Sequence, residues 1–378
     1  MKKNPPPNAF ALARLLIALA PCLEAQTYVS PGTVQFETTA DSLVVLNGYT
    51  GGVGVTPPPD SGWRYLGAQN GLDFIVVSPS QGSAASVAII GLNPSVFPYL
   101  RPGNYMVTAM FGQSPPSGPG GGAFVFLKVD PPPPPSVTSV VSAASLQPQI
   151  SPGELISIFG ANIGTPPISA QYNGAGLYPT TLGNTTVTID GTLAPLLFVS
   201  TTQINAVVPF EVAGQKSVDV VVTHDDVAAP TVSIPIVDTS PAIFTITGTG
   251  KGQGAILNAT SGASTPNSAG NPAPANSIVS IYATGGGLLT PSYPQFPATV
   301  QDGSVVLEAA YAAAAPISVT IGGQPARINY AGCASYEVAG MLQINAFIPQ
   351  GIGSGAQPVV LKIGNNDNSA QQVTVAVK

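Results

Sequence analysis

The chain carries a single histidine, His224, followed directly by Asp225 and Asp226. An imidazole beside a carboxylate is the base half of a hydrolase triad: the ring takes the nucleophile's proton and the carboxylate holds the tautomer. The nucleophile half is missing, because no Gly-x-Ser-x-Gly elbow occurs anywhere in the chain. Thr223-His224-Asp225-Asp226 follows the valine-rich stretch 218–222 and precedes Val227, which reads as a turn between strands. Two cysteines and one histidine are too few for a zinc site. Cys333 has no basic neighbour in sequence to lower its thiol pKa, so it reads as a buried or idle thiol.

Other constellations are equally thin. Paired carboxylates for glycoside hydrolysis are made in three dimensions and leave no sequence signature, and most acids here stand alone near turns. Thr284-Gly285-Gly286-Gly287 lacks the Lys and Ser/Thr of a phosphate-binding loop and reads as a structural loop. Asn365-Asn366-Asp367-Asn368 and His224-Asp225-Asp226 offer oxygen ligands for calcium, but neither has EF-hand spacing. For carbohydrate, the concentrated aromatic candidate is Trp63 with Tyr65, with a core role for Trp63 as the competing reading. No cofactor is expected.

The elements that would position these residues are short strands and tight turns. Charged residues are 7% of the 378, against about 25% in a typical soluble domain. Forty-two glycines and forty prolines interrupt any helix, while 44% hydrophobic residues still suffice for packed cores. The net charge of −6 provides no basic footprint for nucleic acid and no attraction to anionic lipid.

The N-terminus reads as an export signal over residues 1–25. Lys2 and Lys3 precede the short apolar run Leu15 to Ala20, and Ala25 is a suitable small residue before the cut, leaving Gln26 first. The run is too short to span a bilayer. Leu19-Ala20-Pro21-Cys22 resembles a lipobox, with Pro21 badly placed before the modified cysteine. Cleavage after Ala25 removes Cys22 and leaves Cys333 unpaired.

The five prolines Pro131 to Pro135 form a semi-rigid spacer. Before it, residues 27–130 carry strand signals: Val34 and Phe36, Leu43 to Leu46, Phe74 to Val77, Val87 to Ile90, Tyr105 to Met110, and Phe124 to Leu127. Their spacing and the turn Ser78-Pro79-Ser80-Gln81-Gly82 predict a sandwich. After it, an internal repeat is visible. Ser157-Ile158-Phe159-Gly160 matches Ser280-Ile281-Tyr282-Ala283, and Val187 to Gly191 matches Val319 to Gly323. Gln203-Ile204-Asn205-Ala206 matches Gln343-Ile344-Asn345-Ala346, with Pro209 and Pro349 at the same distance beyond. Asp190-Gly191 and Gly322-Gly323 predict two-residue hairpin turns. The expected fold is thus all-β, with three immunoglobulin-like sandwiches in tandem: 27–130, 136–240 and 241–378, the last two an internal repeat. The final unit carries extra residues between Gly323 and Gln343, including Cys333 to Gly340.

Several of these segments resemble a known family. Ser151 to Gly160, Leu182 to Gly191, Pro195 to Ser200, and Tyr330-Ala331-Gly332 leading to Gln343-Ile344-Asn345 are similar to the Solibacter uncharacterised C-terminal domain family, over roughly Val137 to Lys378. The resemblance implies an immunoglobulin-like module near the C-terminal ends of large exported bacterial proteins, with no assigned activity. Cys333 and Tyr336-Glu337 depart from the family's usual Gly- and Pro-containing loop. The N-terminal block resembles the BACON domain through Trp63, Val77 to Gly82, Asn93-Pro94 and Pro102 to Tyr105. That resemblance implies an immunoglobulin-like module with a suspected link to carbohydrate.

The sequence therefore points to an exported, non-enzymatic structural or interaction protein, secreted or at the cell surface, with the periplasm as the alternative. Its expected partner is a protein or polysaccharide of unknown identity, with no nucleic acid and no stable membrane span once the signal is gone. A carbohydrate-binding module acting through the N-terminal domain at Trp63 and Tyr65 is the second reading. Accessory domains of an extracellular enzyme system are the third.

Overall fold

A computed structural model of the chain describes residues 28–39, 50–57, 61–71, 73–93, 95–96, 100–114, 120–131, 133–260, 263–306 and 310–378. The export segment, Cys22 and the apolar run Leu43 to Leu46 lie outside the described residues. The protein is all-β, built of immunoglobulin-like sandwiches in tandem, the last two an internal repeat. Contacts divide it into two units, Met1–Pro133 and Pro134–Lys378, with the division inside the proline run. Among the described residues no helix is long and apolar enough to cross a membrane.

Among the described residues the first unit has nine strands: β1 (Tyr28–Ser30), β2 (Thr33–Thr39), β3 (Thr50–Thr56), β4 (Gly62–Gln69), β5 (Ile75–Ser78), β6 (Gln81–Gly82), β7 (Ser86–Leu92), β8 (Gly103–Ser114) and β9 (Gly121–Asp130). They form sheets of order β1-β3-β7-β5 and β2-β9-β8-β4-β6. The chain changes sheets at Pro31-Gly32: β1 lies antiparallel to β3, and β2 then runs parallel to β9. Strand β9 shows how the sequence builds the core. Ala123, Val125, Leu127 and Val129 alternate inward and are buried, while Phe124, Phe126 and Lys128 point out. Between the sheets, Val53, Val55, Ala88 and Ile90 meet Trp63, Val107, Phe111 and Val125. The Ser78-to-Gly82 stretch is more than the expected turn, because Gln81-Gly82 crosses to pair with β4, placing Gly82 opposite Trp63.

The second unit holds two sandwich cores. The duplication extends to hydrogen-bond register. Ser157, Ile158 and Phe159 face Asn205, Ile204 and Gln203, and Ser280, Ile281 and Tyr282 face Asn345, Ile344 and Gln343. A register shift falls between Leu196 and Phe198 in the first copy and between Ile328 and Tyr330 in the second, against equivalent partners. On the opposite sheets, Val187–Val222 and Ile189–Val220 correspond to Val319–Leu361 and Ile321–Val359. Both expected hairpin turns are present, with φ of 48° and 79° at Asp190-Gly191 and 60° and 77° at Gly322-Gly323. In each Gln-Ile-Asn the isoleucine is buried, and on the opposite face of the strand the glutamine donates to the asparagine Oδ1, at 2.9 Å and 3.0 Å.

Candidate functional site

The aromatic candidate resolves into a core pair. Trp63 is fully buried and meets Phe111 edge-on at 5.7 Å between ring centroids. Its Nε1 donates to Ser86 Oγ at 2.9 Å and to the Ala84 carbonyl at 3.1 Å. A Cβ on Gly82 would overlap the indole, so this glycine makes the room that draws the ring inward. The expected sugar contact at Trp63 is therefore corrected to a core role. Tyr65 is half-buried against Phe111, also at 5.7 Å. Burial, helped by the charge of Asp73, pushes its hydroxyl up to about 12. That hydroxyl has no hydrogen-bond partner among the described residues.

What the first unit does expose is apolar sheet surface. On β9 and β8, Phe124 (49% exposed), Phe126 (38%) and Met106 (41%) point outward, with Leu66 (46%) lying over Gly112. Phe126 pairs with Met106 on one side and Gln35 on the other, and Phe124 with Thr108 and Thr33, so these side chains are cross-strand neighbours. On the opposite sheet Val76, Val87 and Ile89 point outward beside Gly52 and Gly54. The sequence did carry a signal for this surface. Phe124-Val125-Phe126-Leu127 and Val87-Ala88-Ile89-Ile90 are unbroken apolar runs, the pattern of strands covered on both faces.

In the second unit the sequence candidates are occupied by structural work. His224 closes the strand Ser217–His224 instead of opening the turn; its Nδ1 lies 2.9 Å from Thr185 Oγ1 and its Nε2 3.5 Å from Asp225. Asp225 and Asp226 make the turn itself, with φ of 47° and 64°. The asparagine-rich stretch is also committed. Asn366 donates to the Thr239 carbonyl at 2.7 Å, while Asn368 accepts from Leu361 N–H and donates to Gln371. The Ser369 hydroxyl first, and then the Ser369 N–H at 2.9 Å, hold the Asp367 carboxyl below its usual range. Among the described residues no three of His, Cys, Asp and Glu gather as a metal site. Cys333 is buried, and burial pushes its thiol up to about 11.

The glycine loop and the inserted Cys333-to-Gly340 stretch have a role that sequence reasoning missed: both build the seam between the two repeats. Thr284 Oγ1 accepts Leu155 N–H at 3.0 Å and donates to the Gly340 carbonyl at 3.0 Å. A Cβ on Gly285 would overlap the Ser240 carbonyl, and one on Gly340 would overlap that of Gly153. Leu155, Val207 and Val338 form an apolar cluster across the seam, and Phe210 of the first repeat packs on the core of the second. At the far side, Tyr178 N–H donates to Gly303 O at 2.9 Å and Val305 N–H to Gly176 O at 2.7 Å. Gln371 reaches back to the Ala144 carbonyl at 3.0 Å.

Carboxyl groups lie in this seam. Glu154 is fully buried; its Oε2 accepts from Ser151 N–H at 2.8 Å, from the Ser151 hydroxyl at 3.1 Å and from the Ser240 hydroxyl. Its Oε1 has no hydrogen-bond partner among the described residues, though the Ser142 side chain also favours the ionised form. Asp302 of the second repeat accepts Phe210 N–H at 3.0 Å and meets the Glu211 carboxyl of the first within hydrogen-bonding reach. Two carboxyls in contact are the arrangement of a protease dyad, whereas a glycosidase pair stands about 5–9.5 Å apart. A cavity of about 450 Å³ opens nearby, lined by Pro152, Asp238, Thr239 and Leu288 among others, but none of the three carboxyls lines it.

No protein-family model matches the chain, and no curated protein matches it. Among solved structures it is similar to Bacteroides ovatus mixed-linkage glucan utilization locus SGBP-B in complex with a mixed-linkage heptasaccharide. The identity is 14%, over 98% of this chain and 70% of that one, with a TM-score of 0.28. It is also similar to the human Desmocollin-1 ectodomain, at 12% identity over 94% of this chain and 62% of that one, with a TM-score of 0.24. The S-layer protein SbsC, domains 5–6, matches at 11% identity over 58% of this chain and all of that one, with a TM-score of 0.18. At this level the likenesses bear on neither ligand nor activity.

Proposed function

We propose that the chain is an exported, non-enzymatic binding protein of the cell surface or extracellular space, with its contact surface on the N-terminal sandwich. The observation that carries this is the outward patch of Phe124, Phe126, Met106 and Leu66. Each is already about half buried, so leaving the remainder in water forgoes about 1 kcal/mol for each that a partner would fully cover. Apolar patches of this kind, rimmed by polar residues, mark contact sites. The resemblance to the Solibacter family belongs to the same proposal and rests on the motifs alone.

Polysaccharide is the favoured partner class within this reading. Phe126 stands beside the amide of Gln35 and diagonal to Asn104, and Phe124 stands between Thr33 and Thr108, an arrangement of aromatic rings and neutral polar groups suited to a neutral, ring-shaped ligand. The test is binding of the full chain to a panel of polysaccharides, compared with Phe124→Ser/Phe126→Ser. Both side chains point outward, so the variant should melt with the parent and lose binding. Binding unaffected by the pair would remove this surface from the proposal. Hydrolysis of any panel member, abolished by one carboxylate substitution, would overturn the non-enzymatic reading.

A further inference from the structure

Among the described residues, the seam between the two C-terminal repeats gathers acids and no base. Glu154 meets three serines: Ser151 on its own segment, Ser142 at the end of a neighbouring strand, and Ser240 on the connection between repeats. The charged side chain on that connection is Asp238, another acid. Asp302 meets Glu211 across the seam, and Glu337 lies on the strand Glu337–Val338 that pairs with Val305–Val306 beside it. Among the described residues no salt bridge reaches Glu154, Glu211 or Asp302. An ionised carboxylate in such a place has no cation to compensate it, and the buried Oε1 of Glu154 has no donor to stabilise charge on it.

We propose that this seam is a proton-operated joint: protonated Glu154 and protonated Asp302, which lies against Glu211, lock the repeats together, and losing those protons loosens them. Burial raises Glu154 from 4.5 to about 7. Burial first, and then the hydrogen bond with Glu211, raise Asp302 from 3.8 to about 7. The locked chain therefore keeps protons that an opened or unfolded chain releases. The stabilisation is complete below the ordinary carboxylate range and is lost as the pH rises through about 7. For Glu154 the shift corresponds to a change on the order of a hundredfold in the ratio of locked to open seam.

Amide hydrogen exchange on the full chain tests this. Leu155 and Val305 donate across the seam, while Ile204 lies in the first repeat's core and serves as reference. After correction for intrinsic exchange, protection at Leu155 and Val305 should fall at least tenfold from pH 5.5 to 8.5 relative to Ile204. Glu154→Gln, neutral at every pH, should flatten the fall at Leu155, and Glu211→Gln should flatten it at Val305. Glu211 is exposed, so its variant folds even if the buried substitution does not. Seam protection that holds steady against Ile204 would overturn the proposal, as would a fall left unchanged by Glu211→Gln.

Discussion

Replacing Gly340 with alanine asks whether the two C-terminal repeats melt as one body. Gly340 has a φ of +105°, where an L side chain is strained at a cost of about 1–3 kcal/mol. A Cβ there would also overlap the Gly153 carbonyl oxygen and crowd Leu155 Cδ1 at 3.4 Å. Only retreat of Gly340 from the seam relieves the overlap, and the Thr284 hydroxyl cannot then hold both Gly340 O and Leu155 N–H. Stranding a buried backbone group costs about 1–3 kcal/mol more, so the expected loss is about 2–6 kcal/mol. Neither repeat's own core is touched, so the loss falls on their coupling. In scanning calorimetry the parent repeats should melt in one transition. The variant should melt roughly 10 °C lower or split into two transitions. Gly323→Ala is the control: its φ is +77° and a Cβ there meets nothing within 4 Å, so it carries the backbone strain without the overlap. If both variants melt alike, the seam does not couple the repeats.

Two further outcomes follow from buried groups. Trp63→Phe leaves Ser86 and Ala84 without their donor and thins the packing on Phe111, so urea unfolding of the first unit should weaken by about 2–3 kcal/mol. A stable variant that loses glycan binding would instead make Trp63 a contact residue. In a Cys22→Ser background, Cys333 should resist an aromatic disulfide reagent at pH 8 until denaturant is added, because its thiol is buried and raised to about 11. Rapid labelling of the native chain would contradict that placement.

The fold was legible where local chemistry fixes backbone geometry. Asp190-Gly191 and Gly322-Gly323 demand positive φ, and Gln-Ile-Asn puts one apolar side chain between two polar ones, so turn and strand could both be read directly. Trp63 was ambiguous because its destiny depends on Gly82, nineteen positions away and opposite it only once β6 pairs with β4. The seam was illegible for a stronger form of the same reason. Leu155 finds Thr284 across 129 positions and Gln371 finds Ala144 across 227, with no periodic pattern linking them. Gly340 looked like part of an insertion of uncertain purpose until Gly153 appeared against it. The exposed face of the first unit was readable in principle. Its unbroken apolar runs do not say which residues turn inward, and that information lies in the register.

The shared register of the two copies makes their differences informative. Gly153 and Asn276 hold equivalent positions and the same left-handed backbone, at φ of 70° and 64°. The next residue is Glu154 in the first copy and Ser277 in the second; beyond each Gln-Ile-Asn, Phe210 gives way to Gln350. The first copy thus offers a socket of buried acid and aromatic ring, which Ser240 of the connection and Thr284 and Asp302 of the second copy fill. The second copy's own version of that socket is polar and partly or fully open to water. It resembles the capping repeat of a solenoid, whose end face has been made hydrophilic so that stacking stops. Tandem duplication here produced a pair that cannot grow into a longer array through the same contacts.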